Sequence, residues 1–125
     1  MSKPLIVVNF KTYESASSQN ANTLALAMES VTSDSVEIVA VTSAFDLSSV
    51  SENAENVKVW TQHLDPIGFG SNTGWLHPDT AIKRGAQGTI INHAEHKVSI
   101  EHVANLMQML PEGFPICACA ADVDE

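Results

Sequence analysis

Five short, mostly apolar runs separated by longer stretches of helical spacing constrain the fold of this chain more than any other feature. They are Leu5 to Val8, Glu37 to Val41, Val57 to Trp60, Gly88 to Ile91 and Phe114 to Cys119. Strands apolar along their whole length need cover on both faces, as the strands of parallel sheets in α/β proteins have. Between them the period changes. Ala21, Leu24, Ala25, Met28 and Val31 make one helical stripe, with Asn20, Asn22, Glu29 and Ser30 off it. A second helix is expected around Phe45, Leu47, Val50 and Ala54. A third starts at Pro78, a favoured first-turn residue, and stops at Gly85. A fourth carries Ile100, Val103, Met107 and Leu110, with Ser99 as its cap and Pro111 and Gly113 as its stop. Strand and helix alternate throughout, which predicts βα units around a parallel sheet.

At 125 residues the chain is the size of one domain, and 44% hydrophobic residues suffice for a core. Six Lys and Arg against fifteen Asp and Glu give a net charge of -9, which repels polyphosphate backbones and anionic membranes. Neither nucleic acid nor a membrane is an expected partner. The apolar runs are short and the amino terminus has no signal-peptide core, so a soluble, cytoplasmic protein is expected. Cys117 and Cys119 are the only cysteines, and in an extended segment they share one face about 6 to 7 Å apart, too far for a ready disulfide. Two thiols do not complete a structural zinc site, and both read as small apolar residues. Leu64 to Leu76, with Pro66, Gly68, Gly70, Ser71, Asn72 and Gly74, reads as a long loop of the kind that usually carries function.

Chemistry concentrates at the carboxyl ends of strands. Asn9-Phe10-Lys11-Thr12 follows the first run, and a Lys there points from the edge where α/β folds place ligands. Its ammonium suits a phosphate or a developing oxyanion, although a Lys in such a loop is also an ordinary solvated charge. Asn92-His93-Ala94-Glu95-His96-Lys97 follows the fourth run. A helical turn after His93 would disfavour imidazolium and leave a neutral donor able to polarise a carbonyl. The plainer reading is a His satisfied by backbone groups. Of the five histidines, His93 and His96 lie about one helical turn apart, but no familiar zinc spacing is present and no metal is expected. His77 and His102 read as surface residues, Trp60 and Trp75 as packing groups.

Five motifs occur in order: Asn9-x-Lys11, Gln62-His63, Gly70-Ser71-Asn72-Thr73-Gly74, Gly85-Ala86, and Asn92-His93-x-Glu95. Together they closely resemble the N-terminal half of triosephosphate isomerase, the shorter archaeal type in particular, from Leu5 to about Cys119. The resemblance implies a partial (βα)8 TIM barrel of about four βα units plus a fifth parallel strand. Residues 1–125 would be a single N-terminal portion, incomplete at the carboxyl end. It also implies interconversion of dihydroxyacetone phosphate and glyceraldehyde 3-phosphate through an enediolate, without a cofactor, in glycolysis and gluconeogenesis. By the same resemblance Asn9 and Lys11 bind the phosphorylated triose, Lys11 also supports the enediolate, and His93 is the electrophile. A neutral His tuned by a helix terminus is the established pattern of that family. Glu95 resembles the carboxylate that pairs with the Lys, the loop with Thr73 resembles the segment that steadies a partner subunit's site, and Cys119 falls where the family has a buried Cys.

The chain departs from the family at Ala94, where a Ser is usual, and at His96 and Lys97, which keep positive capacity but not the planar fork of an Arg. A whole barrel takes about 250 residues, so the family's base, lid and phosphate loops are not expected within these 125. Proton abstraction without a placed base forfeits on the order of 100- to 10,000-fold in rate, so the chain alone should be almost inert. Its acidic ending, Ala121 to Glu125, suits the first turn of a further helix and suggests a shortened or split protein. Open strand edges should then drive it to pair, as a homo-oligomer or with a complementing C-terminal half. Two other readings are a self-associating half-barrel acting as a non-catalytic structural or phosphate-binding module, and a different enzyme with Glu14 recruited as base.

Overall fold

In the computed structural model, which describes residues 3–125, the five runs form one parallel sheet. Its strands are β1 (Leu5–Asn9), β2 (Glu37–Thr42), β3 (Lys58–Thr61), β4 (Thr89–Ile91) and β5 (Ile116–Ala118), side by side in chain order. The helices are α1 (Gln19–Glu29), α2 (Leu47–Asn53), α3 (Pro78–Lys83) and α4 (Ile100–Met109), with a 3-10 turn at Glu14–Ala16. Because the order never reverses, right-handed crossovers bring every helix to the same face. That is the wall of a (βα) barrel; a doubly wound sheet reverses its order and is covered on both faces.

Register assigns each residue to a face. Asn9 pairs with Val41 and Val41 with Trp60, so these share the inner face, where Val39, Val41, Trp60 and Ile90 form a buried cluster. Ile38, Ala40 and Val59 take the outer face and pack under Ala21, Ala25 and Met28 of α1 and Leu47 and Val50 of α2. Further along, Ile91 packs with Leu106 and Leu110 from the end of α4. Gly88 allows β3 and β4 to approach, since a Cβ there would run into the Trp60 indole. The first edge strand is open: Leu5 and Ile6 are each 49% exposed. Cys117 and Ala118 of β5 are exposed as well.

Several expectations need correction. Val31 lies beyond α1 and is exposed, and Phe45 precedes α2 fully in solvent. Asn22, expected off the apolar stripe, is buried because its amide and Ser49 of α2 satisfy each other at 2.9 and 3.1 Å. In α4 the stripe is partly turned: Val103 and Leu110 pack inward as expected, but Leu106 is fully buried while Ile100 and Met107 face out. The predicted cap is present, with the His102 N–H donating to Ser99 Oγ at 3.0 Å. Trp75 is exposed, unlike Trp60. His77 is not a free surface residue, since its Nδ1 accepts the Thr80 N–H and so caps α3. Among the described residues no helix is long and apolar enough to cross a membrane.

Candidate active site

Alternation along β1 fixes where Lys11 goes. Phe10 turns outward and is buried in the helix-facing core, so Asn9 and Lys11 turn inward at the carboxyl edge. The chain then bends sharply, with Lys11 at φ 50°, a left-handed conformation that costs a non-glycine residue roughly 1 kcal/mol. Side chains hold it there. Asn9 Oδ1 accepts the Lys11 N–H at 2.9 Å, and the Gln62 amide donates to the Lys11 carbonyl at 2.9 Å. The sequence motif assigns Gln62 no role; its place just past the end of β3, the next strand but one, is the signal for it.

Lys11 Nζ meets Glu95 Oε1 at 3.1 Å. That hydrogen bond, and then the charge of the same carboxylate, raise the Lys11 pKa above its ordinary 10.5, so the amine stays a cation. Glu95 also stands 3.6 Å from His93 Nδ1. Asn92, at φ 61°, starts the turn that carries both, and its side chain bridges the Cys119 carbonyl and the Val98 N–H. The expected turn follows His93 over residues 93–96, and α4 begins at Ile100. The Glu95 N–H donates to His93 Nδ1 at 3.1 Å, which leaves the ring proton on Nε2 as a donor.

Asn9, Lys11, Gln62, His63, His93 and Glu95 line one hollow of about 280 Å³. Strands β1, β3 and β4 therefore deliver an ammonium, an amide and an imidazole to one small cavity. Among the described residues lining it, Glu95 is the only carboxylate, and it is engaged with Lys11. His96 also lines the hollow, whereas Lys97 turns away to pair with Glu125.

Other expected site residues lie elsewhere. Thr73 is exposed on the long loop and does not reach its own chain's hollow. Cys119 is only half-buried and lines a different depression beside α4, where burial and then the adjacent Cys117 push its thiol pKa up. Both thiols are free. Glu14 sits exposed in the 3-10 turn, outside the hollow, so the recruited-base reading finds no support.

Behind the hollow lies a group that spacing did not reveal. His63 Nε2 is 2.7 Å from Asp65 Oδ1, its ring stacks on His96 at 4.0 Å, and His102 approaches from α4. Asp65 also ties the long loop shut, since its backbone N–H and its Oδ2 both bond the backbone of Leu76. Burial lowers the His63 pKa from 6.5 against the opposing pull of Asp65, with His96 and His102 adding smaller lowering. A His whose folded pKa lies below its unfolded one contributes stability that is complete above about 6.5 and lost as pH falls from there through the folded value. Urea stability is thus expected to decline as pH falls below about 6.5, and to decline less in His63→Gln. Equal slopes for the two proteins would remove His63 as the cause.

The sequential parallel sheet, with a paired Lys and a His at its carboxyl rim, defines part of a (βα) barrel. The triosephosphate isomerase family profile matches residues 4–125, and the chain belongs to that family. The triosephosphate isomerase of Methanothermus fervidus is 37% identical over 126 residues, covering 99% of this chain and 56% of that protein. That of Methanobrevibacter smithii is 30% identical, covering 98% and 56%, and that of Saccharolobus solfataricus 30%, covering 86% and 48%. The chain spans about half the length of the curated relatives it matches.

Proposed function

We propose that this chain contributes the lysine and histidine side of a site that interconverts dihydroxyacetone phosphate and glyceraldehyde 3-phosphate. The observation that carries the reading is the convergence of Lys11 and His93 on one hollow, each within reach of Glu95. Isomerisation removes a proton from carbon and leaves negative charge on a carbonyl-derived oxygen. An ammonium and an imidazole N–H placed beforehand at that oxygen stabilise the charge without reorganising solvent. Lys11 answers the phosphate dianion as well. Glu95 serves as a positioning group that keeps Lys11 charged and aimed across the hollow, and Asn9 sets the Lys11 turn while its amide nitrogen remains for the substrate.

With Glu95 occupied by Lys11, none of the described residues offers a free carboxylate in the hollow to take the carbon-bound proton. In this reading the base and the phosphate grip come from the remainder of a barrel, supplied by a complementing segment or a longer chain. The exposed Thr73 loop then serves association with another subunit. The test is a chimera in which residues 1–125 replace the matched segment of the Methanothermus fervidus relative. The chimera is expected to turn over triose phosphate and the isolated chain to show no measurable turnover. A folded chimera without activity would overturn the reading.

A further inference from the structure

His63, Asp65 and His102 come from the end of β3, the root of the long loop and the first turn of α4, and their ligand atoms lie within 4.8 Å of one another. The Asp65 and His63 side chains are 7% and 9% exposed and that of His102 is 14% exposed. Two imidazoles and one carboxylate are the donor set of first-row transition metals, whereas magnesium and calcium prefer oxygen throughout. Two of the three donor separations bracket the value such an ion sets. Zinc bonds of about 2.0–2.1 Å in a tetrahedron set donor atoms about 3.3 Å apart. Asp65 Oδ1 stands 2.7 Å from His63 Nε2 and 3.6 Å from His102 Nε2, on either side of that value.

We propose that His63, Asp65 and His102 form a binding site for a zinc-like divalent cation that clips the long loop to α4. Each imidazole Nε2 must give up a present contact, His63 with Asp65 and His102 with the Leu64 carbonyl at 3.0 Å. Both can do so by moving the ring hydrogen to Nδ1, so two neutral rings bind the ion with no net proton gained or lost. Asp65 keeps the Leu76 N–H on Oδ2, an outer hydrogen bond that fixes the carboxylate's orientation. The fourth position falls to water entering from the hollow that His63 lines. Sequence spacing could not show this set, because ligands at 63, 65 and 102 match no local zinc pattern. The proposal is independent of the isomerase reading.

The test uses tag-free protein freed of metal by a chelator and carrying Cys117→Ser and Cys119→Ser, so that thiols cannot contribute. Titration with Co2+ is expected to give one ion per chain, with visible bands of a four- or five-coordinate site. In His102→Gln, whose amide can still donate to the Leu64 carbonyl, and in Asp65→Asn, affinity is expected to fall at least about tenfold. Zn2+ should raise the thermal midpoint of the parent by about 5 °C and leave both variants unmoved. Absence of Co2+ bands at a large excess of ion, or equal affinity in parent and His102→Gln, would overturn the proposal. So would binding that needs the cysteines restored.

Discussion

Replacing Lys11 with Ala in the chimera is expected to lower isomerase kcat/KM by at least about 1,000-fold while leaving urea stability nearly unchanged. Loss of one preorganised donor at a developing oxyanion costs about 100- to 1,000-fold, and here the same ammonium also meets the phosphate charge. Stability should hold for two reasons. The left-handed turn at residue 11 strains Lys and Ala alike, since both carry a Cβ. The Lys11–Glu95 pair is partly exposed, with side chains 31% and 61% accessible, so water screens it and its net contribution to folding is small. Lys11→Arg keeps the charge but sets a planar fork where a point charge fits, and should recover only part of the rate. A Lys11→Ala chimera within threefold of the parent would remove Lys11 from the chemistry.

What the sequence revealed follows from the range of the forces involved. All five strands were legible, since short, mostly apolar runs between turn signals declare themselves locally, and their limits shifted by no more than two residues. Convergence of Lys11 and His93 was legible too, because residues just past the carboxyl ends of parallel strands share one rim. The phase of α4 was legible only in part. Val103 and Leu110 of the expected stripe do pack inward, but packing against Ile91 and Leu64 adds Leu106 and leaves Ile100 and Met107 outside. The turn after His93 is present but does not run on into a helix: Asn92 in a left-handed conformation turns the chain, and its side chain then bonds the Val98 N–H. The His63, Asp65 and His102 group depends on contact between residues almost 40 positions apart, which periodicity does not encode.

Phe10→Ala should be the most damaging single change to the fold, at about 3–5 kcal/mol. Phe10 is the largest fully buried side chain, 1% exposed, and packs in the cluster that joins the sheet to α1 and α2. Deleting its ring loses both the transfer energy of an aromatic side chain and the contacts around the cavity left behind. Against a total of roughly 5–15 kcal/mol for a typical domain, and with β1 already open along its edge, the variant should lose a large share of its cooperative urea transition. Phe10→Leu keeps most of the volume and should cost less than about 1.5 kcal/mol. The site registers the same change. Phe10 facing outward is what turns Asn9 and Lys11 inward, so a loosened residue 10 frees the Lys11 turn from the bonds made by Asn9 and Gln62. Where a Phe10→Ala chimera still folds, its kcat/KM should fall with its stability, whereas Phe10→Leu should hold both. A loss under about 1 kcal/mol in Phe10→Ala would mean that helix packing, and not this ring, sets the direction of the lysine.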